Sequence, residues 1–132
     1  MFMRNLVTCL VAGALCLTLA PGKPALAAPG TPAGAERVLV KMIEAVKAQS
    51  YDDFLTDADD HLKTNLSRQQ FEGICGLYTA PLRKGYRIEY LGQLRQQGTY
   101  VYLWKITIVG GQDETLLRLV TKDGKAYGFT VS

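Results

Sequence analysis

Cysteine and histidine are scarce in this chain: three of the first and one of the second in 132 residues. Two of the cysteines, Cys9 and Cys16, sit in an uncharged apolar run from Leu6 to Ala20. At about 15 residues, that run falls short of the roughly 20 a membrane-spanning helix needs. Arg4 precedes it, Pro21, Gly22 and Pro24 break it, and Ala25-Leu26-Ala27 supplies small residues at alternate positions. Residues 1–27 therefore read as a cleavable signal peptide, and the protein is expected in the periplasm or outside the cell. A lipoprotein box is missing too, because Leu15 directly precedes Cys16.

Cleavage after Ala27 would leave Cys75 as the sole cysteine, which rules out an internal disulfide and any cysteine-pair metal site. Arg4 and Lys23 would leave as well, so the formal charge of +3 drops to near neutrality. No sequence-independent attraction to nucleic acid follows from that balance.

Residues 28–34 (APGTPAG) are rich in proline and glycine and read as a flexible tether. The remainder, 35–132, is expected to form a single domain, helical first and then β. One helix is predicted over about 35–48, where Leu39, Met42, Ile43 and Val46 recur at helical spacing. Ser50 and Asp53 open a second, shorter helix. Ser67-Arg68-Gln69-Gln70 is a capping box that starts a third, with Phe71, Ile74, Cys75 and Tyr78 on one stripe and Pro81 near its end.

From Tyr86 the apolar period changes to two, predicting strands near 86–95, 99–109, 114–121 and 125–131, joined as antiparallel hairpins. Three-residue loops with Gly98 and Gly124 as bulge residues give coherent cross-strand pairs. Tyr86 then faces Ile108, Ile88 faces Ile106 and Tyr90 faces Trp104, while Leu117 faces Phe129 and Leu119 faces Tyr127. That register makes one sheet face apolar and aromatic, Leu94 included. The other is polar, with an apolar island of Leu91, Val101 and Leu103. The fold class is α+β: three N-terminal helices on a curved four-stranded antiparallel sheet.

This layout resembles the nuclear transport factor 2-like superfamily, a cystatin-like cone-shaped roll, and in particular its small exported bacterial members of unknown function. The features that carry the likeness are Leu66-Ser67-Arg68-Gln69-Gln70-Phe71, Gly85-Tyr86, Tyr90-Leu91-Gly92, Val101-Tyr102-Leu103-Trp104-Lys105 and Lys122-Asp123-Gly124-Lys125. They span about residues 35–132, and none is a catalytic signature. The resemblance implies a pocket enclosed by the cone. The superfamily hosts isomerases, dehydratases and binding modules alike, so fold cannot decide function.

His61, in Asp57-Ala58-Asp59-Asp60-His61, is the sole candidate imidazole base, with Asp57 as its partner. The aspartate run over 52–60 does not make a calcium loop, because Leu62 and Arg68 stand where a glycine and a final acidic ligand are required. No metal and no cofactor is expected. Cys75 reads as a small core hydrophobe. Tyr90, Tyr102, Trp104 and Tyr127 bring hydroxyls and an indole N–H to the apolar face. They either line a pocket for a small amphipathic ligand or fill the cone as core. Arg83, Lys84, Arg87 and Arg95 gather near the helix-to-sheet junction.

The sequence thus points to an exported binding or interaction domain that takes a protein partner or a small amphipathic ligand. A homodimer through the outer sheet face is part of that expectation. The alternative is a small isomerase, dehydratase or hydrolase using His61. An enzyme should place His61 or an acid in an open cavity beside the tyrosines. A binding module should show a filled cone or an uncharged apolar cavity.

Overall fold

The computed structural model describes residues 32–132. The signal-peptide segment 1–27 and the first part of the tether lie outside them. Helix α1 (Pro32–Ala48) begins inside the segment expected as tether, with proline in the first helical position. Its buried stripe contains Leu39, Met42, Ile43 and Val46. Gln49 takes the left-handed conformation (φ 55°) that ends the helix. Its N–H returns to Val46 O, and Ser50 N–H reaches Ala45 O. Ser50 then caps α2 (Tyr51–Phe54) by accepting from Asp53 N–H.

Among the described residues, a fourth helix corrects the expected count of three. Asp59 caps α3 (Asp60–Asn65), which buries only Leu62. So short a helix cannot display an apolar repeat, and Leu62 stands where a capping box would have glutamate or glutamine. The capping box expected at Ser67 and Gln70 starts α4 (Arg68–Arg83). Pro81 lies within that helix rather than at its end. Its buried positions are Phe71, Cys75, Thr79 and Leu82. Thr79 Oγ1 donates to Val46 O at 2.7 Å, and the Cys75 thiol lies 3.8 Å from the same carbonyl. Cys75 thus serves the α1–α4 contact, as a core residue should.

Strands β1 (Tyr86–Gln96), β2 (Thr99–Ile108), β3 (Glu114–Lys122) and β4 (Lys125–Val131) form one open antiparallel sheet in sequence order. The pairs Tyr86–Ile108, Ile88–Ile106 and Tyr90–Trp104 occur as expected, but for a different reason. The turn has two residues, with positive φ at both Gln97 (48°) and Gly98 (79°), the geometry that matches strand twist. The extra residue sits within β1, where the register shifts between Tyr90 and Gly92. Beyond that bulge the expected facing is reversed. Leu94 pairs with Val101 on the outer face, and Arg95 pairs with Tyr100 on the inner one. The Arg95 guanidinium lies 5.7 Å from the Tyr100 ring centroid, which explains how the arrangement tolerates a charge there.

The last hairpin is corrected in the same way. Asp123 (φ 51°) and Gly124 (φ 77°) form a two-residue turn, and the extra residue is Tyr127. Leu119 therefore faces Phe129 and Leu117 faces Val131, replacing the expected Leu119–Tyr127 and Leu117–Phe129 pairs. The cause lies elsewhere in the chain. Ala126 donates to Asp57 O at 2.8 Å and accepts from Asp59 N–H at 2.9 Å, so its backbone is held by the α2–α3 connection.

Helices α1, α2 and α4 cover the inner sheet face. Trp104, Tyr102, Phe54, Phe71, Leu39 and Met42 are among the largest fully buried side chains. At the junction, Tyr86 donates to Glu44 Oε1 at 3.0 Å. Burial first, and the Glu44 carboxylate second, push the Tyr86 hydroxyl up to about 12. The unfolded chain ionises this tyrosine near its ordinary value of 10, before the folded chain does. Stability supplied by the protonated hydroxyl is therefore complete below that value and lost as pH climbs toward 12. A Tyr86→Phe variant should show a shallower alkaline decline in urea-derived stability than the parent. Equal slopes would show that the Glu44 contact contributes nothing.

Candidate functional site

Two recesses stand on opposite sides of the sheet. The first is an apolar cavity of about 250 Å³ between the helices and the inner face. Met42 and Val46 of α1, Phe54 of α2, Ile74 and Tyr78 of α4, and Ile106 and Leu117 of the sheet form its walls. Among the described residues, no charged side chain lines it; Thr115 and Tyr78 are its polar residues. Leu77 stands beside it at 69% exposure, an apolar residue that helix packing alone does not require.

The second is a wider, open groove of about 780 Å³ at the far end of the outer face. Val101, Val120 and Gly128 are among its lining residues, with Arg118, Lys122, Thr99, Tyr127 and His61 around them. His61 projects from α3, and its ring stacks on Tyr127 with centroids 4.1 Å apart and planes 8° from parallel. Its Nδ1 lies 3.3 Å from Tyr127 O. Lys122 Nζ lies 5.9 Å from the same tyrosine ring.

The residues singled out from sequence do not form one site. Asp57 pairs with Lys41 Nζ at 3.0 Å instead of orienting His61. Asp59 caps α3, and Asp52 lies 4.0 Å from Arg68. Among the described residues, no three His, Cys, Asp or Glu side chains converge to hold a metal ion. Tyr102 and Trp104 are fully buried, with ring centroids 5.9 Å apart. Tyr90 is 40% exposed and leans on Trp104, its hydroxyl 3.3 Å from Gln93 Oε1. These three fill the far end of the inner face and line neither recess, whereas Tyr127 belongs to the outer groove.

Burial pushes the Tyr102 hydroxyl above its usual value, partly offset by the Thr121 hydroxyl beside it, with Tyr100 and Tyr90 adding to the rise. Thr121 Oγ1 itself completes no hydrogen bond by geometry, and Trp104 Nε1 is likewise buried without a partner among the described residues.

Of the basic residues expected at the junction, Arg83 Nε donates to Lys47 O at the end of α1. Arg95 is not there: it lies at the opposite end of β1, beside the Gln97-Gly98 turn, and covers Tyr100. In the outer-face island, Val101 is covered and Leu103 half-buried, while Leu91 is 52% exposed. Sequence reasoning missed the cavity-lining Leu77, whose off-stripe position in α4 was the available signal. It also missed Arg118 and Lys122, which flank Val120 on the same strand face.

No family model and no curated protein matches the sequence. Solved structures do. TerC, crystallised with polyporic acid, is similar over 75% of this chain and 90% of its own, at 10% identity and a TM-score of 0.44. An NTF2-like protein of unknown function from Cytophaga hutchinsonii is similar over 74% of this chain and 88% of its own, at 7% identity and a TM-score of 0.40. Another, from Burkholderia pseudomallei, is similar over 75% and 89%, at 13% identity and a TM-score of 0.39. The likeness is one of chain course and leaves the chemistry to the residues described above.

Proposed function

We propose that this is an exported binding domain that takes a small apolar molecule between α1, α4 and the inner sheet face. The observation that carries the reading is the cavity itself, which has space, apolar walls and, among the described residues, no charged side chain. An uncharged apolar cavity stays poorly hydrated, so a hydrocarbon gains from entering it. Its volume lies just below the usual range for ligand pockets, roughly 300–1,000 Å³, which favours a compact molecule of about one ring. Export is supported by the composition of residues 1–27 alone.

An enzyme would need an acid, base or nucleophile facing such a cavity, and among the described residues Tyr78 is the one ionisable side chain on its wall. His61 lies on the other recess.

Toluene provides a direct test. It should move the methyl resonances of Ile74, Ile106 and Leu117 saturably and raise the melting temperature by mass action on the folded state. Ile108→Phe, which adds bulk at the cavity wall, should abolish both effects while leaving the fold intact. Unmoved methyl resonances at toluene saturation would defeat the reading.

A further inference from the structure

We propose that the outer-face groove is a second binding site, one for a small organic anion with an apolar body, such as an aryl carboxylate. The inference does not rest on the apolar cavity.

The outer face is divided electrostatically along its length. Toward one end, Lys105 lies 3.1 Å from Glu89 and 2.9 Å from Glu114, so its charge is already matched. Toward the other end, Arg118 and Lys122 stand two positions either side of Val120 on the same face of β3. Neither has an ion-pair partner among the described residues. Among the described residues, the groove is lined by these two cations and His61, and by no carboxylate. Of the nearby acids, Asp57 holds Lys41 and Asp59 caps α3, while Asp60 and Asp123, next in sequence to His61 and Lys122, are exposed and are not among the groove's lining residues. An unbalanced positive patch of this kind attracts and orients an anion.

The floor suits the rest of such a ligand. Val101 is 1% exposed although it stands on the sheet face away from the helices, and it is not part of the main core. Val120 pairs with Val101 on one side and with Gly128 on the other. The missing side chain at Gly128 leaves room above an apolar strip. Tyr127 and His61, stacked on each other, provide a flat aromatic wall. A carboxylate placed between Arg118 and Lys122 would thus lay its ring along Val120 and Gly128 against Tyr127. Arginine favours this role because its planar fork matches the carboxylate oxygens.

The test uses 2-naphthoate and its uncharged isostere 2-naphthamide, followed by amide chemical shifts of the full chain. Naphthoate should shift Val101, Val120 and Gly128 saturably, and naphthamide should bind about tenfold more weakly, the loss of one charge-assisted contact. Arg118→Gln with Lys122→Gln should weaken naphthoate by a similar or larger factor. Lys105→Gln, which removes an already matched charge from the same face, should leave it unchanged. Both replaced cations are exposed, so the fold is retained. Three results would overturn the proposal: shifts confined to Ile74, Ile106 and Leu117 around the inner cavity, equal affinity for naphthamide, or no saturable binding of naphthoate.

Discussion

Replacing Phe54 by alanine is expected to destabilise the domain by about 3–5 kcal/mol, the range for truncating a buried phenylalanine. Helix α2 has only four residues, too short to hold its shape by backbone hydrogen bonds alone. Phe54 anchors it at 2% exposure. The ring lies 5.1 Å from Phe71 of α4 and 6.2 Å, edge-on, from Phe129 of β4. It therefore joins helix to sheet through one side chain. Phe54 also lines the apolar cavity, so the space left by truncation merges with space already present. Little collapse can recover the loss, which places the cost toward the upper part of the range. Urea denaturation gives the measurement. Added toluene should restore part of the lost stability in Phe54→Ala, because a ligand that binds only the folded state opposes unfolding. A cost below about 1 kcal/mol would show that Phe54 is not the anchor its contacts imply.

Trp104 should produce the other large effect, with an informative split between two replacements. Trp104→Ala is expected to cost about 3–5 kcal/mol, since the indole is fully buried between Tyr90 and Tyr102. Trp104→Phe should cost less than about 1.5 kcal/mol. Nε1 has no partner among the described residues, so phenylalanine sheds a desolvation penalty of roughly 1–3 kcal/mol while keeping a ring in the stack. The lost penalty offsets most of the lost area. Trp104 is the only tryptophan, so unfolding of both variants is followed by far-ultraviolet circular dichroism rather than fluorescence. A Trp104→Phe loss above about 1.5 kcal/mol would mean that the indole N–H is satisfied after all.

These two residues also show how far the sequence could be read. Trp104 was recognisable as a member of an aromatic face, because strand alternation is local and survives any error at the turns. Whether it lined a pocket or filled the core depended on what the helices placed over it. The same limit explains the two hairpins. The apolar pattern of β1 required one extra residue between Tyr86 and Thr99, and that requirement was legible. Its position within β1, instead of in the turn, was not, because both placements give Tyr86, Ile88 and Tyr90 the same partners. The cost of that ambiguity fell on Leu94 and Arg95, which changed faces.

What the sequence determined by itself was the run of local structure: the α1 stripe, the Ser67–Gln70 capping box, four strands and their antiparallel order. Each depends on residues within a few positions of one another, where spacing and hydrogen-bond chemistry suffice. Tertiary structure decided what joins distant segments. Asp57 and Asp59 grip Ala126 and make Tyr127 the extra residue of β4, and His61 reaches that tyrosine from 66 positions away. The cavity and the groove arise in the same way, from elements that meet only when the chain folds. No periodicity within one segment encodes the space left between two.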